Sequence, residues 1–539
     1  MESLILFVTA MVVSMAIVPL MMRIAPRVGM VDMPDPRKVH TIPIARVGGI
    51  GIVIGALVPI VFWLPYEPLV ISYLFGSLVL LVFGVWDDSC ELGHYVKFIG
   101  QFAAVLPIIF YGDLYVSEIP VIGELSEVTG KIFTVVALVG VINAINHSDG
   151  LDGLAGGLSL LSLACLAYLF YLVNDFEMVF LSVSVMGGVF GFLRFNSHPA
   201  KVFMGDGGSQ FLGFSLGFLV IVLTQKSHPA LSSALPALIL GLPVIDIIAV
   251  FYLRISGGMN WFRATRNHIH HRLLDLGFTH YESVILIYLV QLFMILSSIF
   301  LMYDYDLLIL GLYFSICIFI FSALTILENK NYEVSRKGRE SAVDVFINDY
   351  LKTGRILYLL GNYIVSAVAL LFLFIVINVE SIPQDVGFLS FVLLVLGVVS
   401  YFLVKKYFTS VNKLILYIVA ALVIYLDFRY LVSGHEVVAT IEMLLFISLA
   451  ISCVLIIKFD TNVEFMLSPM DYLVATIMIL TFTAFSFLPE KMIYGFSVIK
   501  LILLFYACEL IEKKSVSGLR VVSSSAVVAL FIVLYRSLM

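Results

Sequence analysis

Charged residues are scarce in this sequence: Lys, Arg, Asp and Glu together make up 13% of its 539 residues, whereas 61% are hydrophobic. A typical soluble domain carries about 25% charged residues, and no soluble globular fold needs so large an apolar surface. The composition therefore excludes an ordinary soluble protein and predicts an all-α polytopic membrane protein. The net charge of −6 adds little, because the placement of charges in a membrane protein matters more than their sum.

Cysteine is also rare, and the five cysteines show neither the spacing of a metal site nor that of a disulfide framework. Cys90 lies near Asp88 in the sequence and is interpreted as a bystander. The first apolar run, from Leu4 to Met22, lacks a preceding basic region and a small-residue cleavage site. We therefore expect a retained first helix and not a cleaved signal peptide.

Apolar runs long enough to cross a bilayer fill most of the chain. At about 20 residues per span, we count roughly 18 spans, with about 11 before residue 330 and about 7 after it. Lys and Arg concentrate in alternate short loops, which predicts that these loops are cytoplasmic and that both termini face outward. The polar motifs fall on the cytoplasmic side, except Asp246. That residue lies within a helix and is expected either to pair with Arg254 or to support the site structurally.

The chain divides near residue 330. Residues 1–327 carry loops rich in Asp, His, Asn and Gly, and we interpret them as a membrane core with a functional site. Residues 328–355 form the longest charged stretch, which predicts a cytoplasmic linker with a short amphipathic helix from Val343 to Leu351. Residues 356–539 are interpreted as an additional multi-span membrane domain, because their loops show no comparable motifs.

Two adjacent carboxylates, Asp87 and Asp88, end the third predicted helix, and Lys97 and Gln101 begin the fourth. Adjacent carboxylates repel each other, so keeping both ionised requires a nearby cation. Mg²⁺ is usually held by one or two carboxylates together with substrate phosphates. The motif therefore indicates a divalent-metal site. The alternative is a hydrated loop at a helix end, with Lys97 as a topological anchor.

The most specific motif runs from residue 143 to residue 157 and places Asn143, Asn146, Asp149 and Asp152 among glycines. In a helical turn Asp149 and Asp152 would share a face. The amides that open the following helix are suited to an anionic or polar ligand. The alternatives are a calcium loop or a plain Gly-rich turn. The ligand spacing of an EF-hand is absent, and the motif lies between membrane spans, which disfavours both.

A second glycine-rich motif, Gly205-Asp206-Gly207-Gly208-Ser209, has the composition of a phosphate cradle. It is not a Walker A sequence, which would end in Gly-Lys-Ser/Thr. Alone it would be weak evidence for a site. Its position at the start of a span, on the same side as Asp88 and Asp152, makes the prediction of a shared site stronger.

Three histidines, His268, His270 and His271, lie between Arg266 and Arg272. One interpretation is a zinc site, because zinc prefers tetrahedral His and Cys ligands. The favoured interpretation is a basic, hydrogen-bonding arm suited to a diphosphate. For one of the three, a surface histidine without a role is the alternative.

Together these motifs resemble the polyprenyl-phosphate N-acetylhexosamine-1-phosphate transferases. The resemblance covers residues 1–327 and is carried by Asp87-Asp88 with Lys97 and Gln101, Asn-x-x-Asn-x-x-Asp-Gly-x-Asp-Gly-Leu-Ala at 143–155, Phe-Met-Gly-Asp-x-Gly-Ser at 203–209, and His-Ile-His-His-Arg-Leu at 268–273. The first loop fits as well, with Asp32, Pro34, Arg37, Lys38, His40 and Gly48-Gly49. The last motif is similar to the undecaprenyl-phosphate GlcNAc-1-phosphate transferase branch, which starts enterobacterial common antigen, O-antigen and wall teichoic acid. One departure is Thr265, where this branch usually has Asp.

The resemblance implies transfer of a sugar-1-phosphate, with GlcNAc-1-phosphate favoured, from a UDP-sugar to undecaprenyl phosphate, with release of UMP. It implies a bacterial inner-membrane enzyme with a cytoplasmic active site. Mg²⁺ is the implied cofactor, with Mn²⁺ as the alternative, and its implied ligands are Asp206, Asp87 and Asp88. Catalytic roles are implied for Asp87, Asp88, Asp149, Asp152, His270 and His271. Substrate-binding roles are implied for Lys38, Lys97, Asn143, Asn146, Arg254, Arg266 and His268.

The expected partners are thus the UDP-sugar, undecaprenyl phosphate and the lipid bilayer, with a homodimer as one expected assembly and no nucleic acid. A transporter or lipid-linked sugar flippase is the alternative function, and it would place carboxylates near mid-helix, facing a cavity. The carboxylates cluster at helix ends with glycines instead, which disfavours this alternative for the first half. For the C-terminal half it stays open beside a scaffold role. Catalysis is not expected there, because Glu442 and Glu509 near span ends are its few intramembrane charges.

Overall fold

The computed structural model describes residues 2–34, 43–227, 230–258, 267–330, 332, 334, 354–403, 408–430, 436–459, 492–514 and 516–538. Within these residues the chain is helical apart from loops and five short strands. Eleven of the described helices are long and apolar enough to cross a membrane, by length and composition. The predicted class, an all-α polytopic membrane protein, is confirmed.

The described helices fall into two compact units. The first unit contains α1 (Glu2–Ile24), α2 (Gly48–Trp63), α3 (Pro68–Cys90), α4 (His94–Phe110), α5 (Glu127–Ser148), α6 (Leu154–Leu172), α7 (Phe176–Asn196), α8 (Gly205–Val222), α9 (Leu235–Ile239), α10 (Gly241–Ser256), α11 (Ile269–Asp275), α12 (His280–Phe300) and α13 (Asp306–Asn329). Eight of the eleven candidate spans belong to this unit, and α2 and α4 are shorter apolar helices. The count of roughly 11 spans for this unit stays a prediction.

The second unit has its own apolar core. Its described helices are α14 (Gly354–Asn378), α15 (Gln384–Leu403), α16 (Phe408–Tyr430), α17 (Glu436–Phe459), α18 (Met492–Lys514) and α19 (Val516–Ser537). A seventh span, predicted around Ile479, lies outside the described residues, as does the amphipathic helix predicted from Val343 to Leu351. The boundaries 1–327, 328–355 and 356–539 stay predictions.

Helix α8 lies at the centre of the first unit. Every residue of α8 from Gly207 to Val222 is buried, because the helix is apolar on all sides and α2, α3, α5 and α6 pack around it. Only its first two residues, Gly205 and Asp206, escape full burial. The one carboxylate of α8 therefore sits at the N-terminal end of an otherwise buried helix.

Glycines allow two neighbouring helices to approach the start of α8 closely. A side chain on Gly84 of α3 would overlap the backbone of Gly207, and one on Gly49 of α2 would overlap the backbone of Gly208. Small residues at such crossings are the usual means by which membrane helices come together. The contact brings the end of α3, which carries Asp88, beside the start of α8.

A small sheet joins the first loop to the segment that precedes α8. The described strands are β1 (Val31–Asp32), β2 (Ile44–Arg46), β3 (Glu118–Ile119), β4 (Gly123–Glu124) and β5 (Val202–Phe203). Strand β2 lies in the middle, antiparallel to β1 and parallel to β5, with Ala45 opposite both Val31 and Val202. The amide of Gly49 then donates to the carbonyl of Met204 over 2.7 Å. These bonds fix the chain that enters α8 against α2.

Candidate active site

Lys97 joins two of the predicted carboxylates. Its ammonium lies 2.6 Å from Asp87 Oδ2 and 2.7 Å from Asp206 Oδ2. The three side chains come from α3, α4 and α8, and Lys97 and Asp206 are 109 residues apart in the chain. The structure thus brings residues of two sequence motifs, on three helices, into one cluster, which we call the carboxylate cluster: Asp87, Asp88, Lys97 and Asp206.

Asp88 is held against the start of α8. Its carboxylate accepts hydrogen bonds from the backbone amides of Asp206 at 3.0 Å and Gly207 at 3.4 Å. The first amides of a helix have no partner within the helix and carry partial positive charge, so a carboxylate is stabilised there. Gly205 adopts a φ of +72°, and a side chain at this position would overlap the Asp88 carboxylate. The glycine before Asp206 is therefore required by both conformation and space.

Asp87 is fixed by the end of its own helix. Its Oδ1 accepts from the amide of Leu92 over 2.6 Å, while its Oδ2 faces Lys97. The side chain is 7% exposed. Both of its oxygens are thus engaged, one by backbone and one by a cation.

Two amide side chains of α5 complete the surroundings of Asp206. Asn146 donates to Asp206 Oδ1 over 3.1 Å and to Ser209 Oγ over 2.8 Å. One turn earlier, Asn143 donates to Gln101 Oε1 over 2.8 Å, and Gln101 in turn donates to Gln210. The Asn-x-x-Asn spacing therefore places both amide side chains on the face of α5 that lines α8.

The donors of the carboxylate cluster fit a divalent cation. Asp87, Asp88 and Asp206 would carry three negative charges against the one positive charge of Lys97, which leaves two uncompensated. Carboxylate oxygens are the ligands that hard divalent cations prefer. Arg46, which is near enough to act on Asp88, is already paired with Asp32. The charge and the donor atoms match a doubly charged ion.

Asp149 and Asp152 lie between α5 and α6, not within a helix, so the argument from a shared helical face does not hold for them. Asp149 follows the last residue of α5. Burial, followed by the negative charges of Asp206 and Asp152, raises the pKa of Asp149 to about 7. Asp149 is therefore electrostatically linked to the carboxylate cluster and titrates near neutral pH.

Asp152 turns instead toward two histidines. Its Oδ2 lies 2.6 Å from His198 Nδ1 and accepts from the amide of Ala200 over 3.1 Å. Although burial raises the pKa of Asp152, these two hydrogen bonds outweigh it and lower the pKa below its usual value. The ring of His280 stacks on that of His198 with centroids 4.0 Å apart. Asp152, His198 and His280 together offer ligand atoms within 4.8 Å of one another.

His280 is a neighbour of Asp152 that no sequence motif predicts. His280 Nε2 lies 3.1 Å from the Asp152 carbonyl oxygen, and the two residues are 128 positions apart. His280 is the first residue of α12 and belongs to no motif of fixed spacing. Only the packing of α12 against α6 brings it to this site.

Asp246 supports the histidine motif. Its Oδ2 lies 2.8 Å from His268 Nδ1, and its Oδ1 accepts from the amide of Ile269 over 2.9 Å. Both side chains are buried. Asp246 was expected either to pair with Arg254 or to support the site structurally. These contacts agree with structural support. Asp246 fixes the orientation of the His268 ring and the start of α11.

His270 is neutral in this arrangement. Burial, followed by the neighbouring His271 and His268, holds the pKa of His270 well below its usual range. Its Nε2 is buried and has no hydrogen-bond partner among the described residues, and a side chain on Gly150 would overlap this ring. The His270 imidazole is thus a hydrogen-bonding group and not the cation that a basic arm would require.

Arg272, at the end of the predicted basic arm, is paired with a carboxylate in the structure. The guanidinium of Arg272 donates to both carboxylate oxygens of Glu328, over 2.6 and 2.7 Å. This bidentate pair fixes Arg272 against α13 and neutralises its charge. Arg254 is buried near Phe251. Lys38 and Arg266 lie outside the described residues.

The amino-acid sequence is similar to those of known proteins. The model of the family described as "Glycosyl transferase family 4" matches residues 70–224. A relative from Bacillus subtilis (strain 168), named as a probable undecaprenyl-phosphate N-acetylglucosaminyl 1-phosphate transferase, is 34% identical over 299 residues, which cover 54% of this chain and 83% of the relative.

Two further relatives are named undecaprenyl-phosphate alpha-N-acetylglucosaminyl 1-phosphate transferase. The one from Pasteurella multocida (strain Pm70) is 34% identical over 276 residues, covering 49% of this chain and 76% of the relative. The one from Escherichia coli (strain K12) is 30% identical over 277 residues, covering 49% of this chain and 74% of the relative. The similarity thus extends over most of each relative but only about half of this chain.

Proposed function

Because the chain belongs to the polyprenyl-phosphate N-acetylhexosamine-1-phosphate transferases of glycosyl transferase family 4, we propose that it transfers GlcNAc-1-phosphate from UDP-GlcNAc to undecaprenyl phosphate. UMP is the second product. The relatives' names give the acceptor and the transferred group, and the nucleotide donor is our inference from them. The reaction is the first membrane step of a cell-envelope polysaccharide.

One observation carries the proposal: Lys97 lies within 2.7 Å of carboxylates from two other helices, Asp87 of α3 and Asp206 of α8. Phosphoryl transfer needs positioned charges more than covalent chemistry, because the reacting groups are themselves highly charged. A rigid cluster of three carboxylates and one ammonium at a helix N-terminus supplies such charges. The donor would approach with its diphosphate toward this cluster.

Divalent-cation dependence is general in this family, and we propose Mg²⁺ held by Asp206, Asp87 and Asp88. The bound cation would supply positive charge to the diphosphate oxygens and so reduce their repulsion of the incoming lipid phosphate. The protein's own groups keep these ligands in place. Lys97 bridges Asp87 and Asp206, Asn146 orients Asp206, and the first amides of α8 hold Asp88.

The proposed reaction is a direct displacement. An oxygen of undecaprenyl phosphate forms a bond to the phosphorus that bears GlcNAc. The bond between that phosphorus and the bridging oxygen breaks, and UMP leaves with the bridging oxygen and its electron pair. Asp87 accepts from Leu92 and Lys97, and Asp88 accepts from two amides of α8. Because these hydrogen bonds engage both carboxylates, they favour direct attack over a covalent aspartyl-phosphate intermediate.

The histidine motif is proposed to contact the diphosphate as a neutral hydrogen-bonding group. The buried His270 Nε2 has no partner among the described residues, and such an atom is costly to bury unless a ligand satisfies it. His268, oriented by Asp246, lies next to it, with ring centroids 5.7 Å apart. The roles of Lys38 and Arg266 in attracting the anionic substrates stay predictions.

We place the site on the cytoplasmic side of a bacterial inner membrane. The support is the excess of Lys and Arg in the loops on the same side as the carboxylate cluster, which marks the cytoplasmic face of membrane proteins. UDP-sugars are soluble nucleotides and would reach this face directly.

The test is UMP release by the purified full-length chain supplied with UDP-GlcNAc, undecaprenyl phosphate and Mg²⁺. We expect UMP and a lipid-linked GlcNAc diphosphate, neither of which forms without the lipid or after chelation of the cation. Parallel reactions with UDP-GalNAc test the choice of sugar. Turnover with another UDP-sugar alone would change the donor, and absence of UMP with every UDP-sugar, from folded protein, would overturn the function.

A further inference from the structure

The second unit contains a group of three charged side chains, two buried carboxylates and a half-buried lysine. The ammonium of Lys500 on α18 lies 2.8 Å from Asp427 Oδ2 on α16 and 2.6 Å from Glu442 Oε1 on α17. The side chains of Asp427 and Glu442 are 4% and 3% exposed. We call these residues the buried triad. The sequence alone singled out Glu442 but connected neither Asp427 nor Lys500 with it.

The triad is unbalanced in charge. Two carboxylates face one ammonium, so the group carries one net negative charge if all three are ionised. The charged groups that act on Glu442 are Asp427 and Lys500, and those that act on Lys500 are Asp427 and Glu442. The charged partners of Glu442 and Lys500 are thus members of the triad itself. An uncompensated charge among apolar helices is expensive.

One contact and one buried oxygen atom without a partner indicate which groups of the triad carry charge. Lys500 Nζ lies 5.4 Å from the centroid of the Phe446 ring, and a ring face at this distance stabilises a cation. Lys500 therefore keeps its positive charge. Asp427 Oδ1 is buried and has no hydrogen-bond partner in the described part of the chain. A fully ionised carboxylate would leave this oxygen charged and unsatisfied.

We propose that the buried triad is a proton-binding site that holds one proton on its pair of carboxylates. With that proton the group consists of one ammonium, one carboxylate and one carboxylic acid, and is electrically neutral. Because Lys500 touches both carboxylates, transfer of the proton from one to the other changes which of them pairs with Lys500. Protonation is thus linked to the contacts that α18 makes with α16 and α17. This site is independent of the proposed transferase function.

The test is infrared spectroscopy of the full-length chain at neutral pH, since a protonated carboxyl has a C=O stretching band that a carboxylate lacks. We expect that Asp427→Asn and Glu442→Gln each remove the same amount of this band from the wild-type spectrum. Each change leaves one carboxylate with Lys500, a neutral pair that needs no proton. Asp385→Asn, an exposed carboxylate at the start of α15, is the matched control and should leave the band unchanged.

Lys500→Met makes the test independent of the stability of the amide variants. Without the ammonium both carboxylates require a proton, so the band should increase. A wild-type spectrum that matches those of Asp427→Asn and Glu442→Gln in this region would overturn the proposal. Loss of the wild-type band on addition of Na⁺ or K⁺ at constant pH would overturn it in favour of a monovalent cation as the ligand.

Discussion

The carboxylate of Asp88 accepts a hydrogen bond from the backbone amide of Asp206, 118 residues later in the chain, over 3.0 Å. The end of one helix thereby caps the start of another. Because Asp206 also contacts Lys97 and Asn146, this single bond fixes two carboxylates relative to each other. The preorganisation of the carboxylate cluster thus depends on the backbone conformation at the start of α8.

Gly205→Ala tests this dependence. The substitution places a side chain against the Asp88 carboxylate at a position with φ of +72°, and the left-handed conformation alone costs about 1–2 kcal/mol for an L-residue. We expect a lower thermal unfolding temperature and a large loss of UMP release. Gly140→Ala on α5 is the matched control, because no atom lies within 4 Å of the added carbon. Equal behaviour of the two variants would contradict the packing described for Gly205.

Asn146→Asp tests how Asp206 is oriented. Asn146 donates to Asp206 Oδ1, and an Asp at this position would replace a donor with a second negative charge. A hydrogen bond to a charged group contributes about 1.5–3 kcal/mol, so we expect kcat/KM to fall about 10- to 100-fold. Asn174→Asp, an exposed residue after α6, makes the same chemical change and should retain activity. Full activity of Asn146→Asp would show that Asp206 does not depend on this bond.

The pH dependence of stability tests the environment of Asp149. Its pKa in the folded protein is about 7, above the ordinary value of 3.8, so between these values the folded state binds more protons than the unfolded state. The contribution of Asp149 to stability is then fully present below pH 3.8 and is lost as pH rises to about 7. Relative to Asp149→Asn, the wild type should lose stability between pH 4.5 and pH 8, measured by thermal unfolding in the presence of a chelator. A difference between the two chains that does not change with pH would contradict the raised pKa.

Some of the site follows from the sequence and some depends on packing. The apolar runs predict the helices, and the common side of the loops predicts that Asp87, Lys97 and Asp206 belong together. The capping of α8 by Asp88 could not be predicted, because it depends on the left-handed backbone at Gly205. The pairing of Asp152 with His198 and His280 depends on how α12 packs, and no sequence spacing records it. Lys500 and Asp427 were missed for the same reason, since they lie 73 residues apart on different helices.

The most direct measurement for the central claim is the rate of UMP release by Asp206→Asn beside the matched variant Asp113→Asn. Asp206 contacts Lys97 and Asn146, whereas Asp113 is an exposed residue in the loop after α4. We predict that Asp206→Asn lowers the rate on the order of 100-fold or more, as removal of a preorganised charged group does, while Asp113→Asn keeps the wild-type rate. Wild-type turnover by folded Asp206→Asn would contradict the assignment of the carboxylate cluster as the site of transfer.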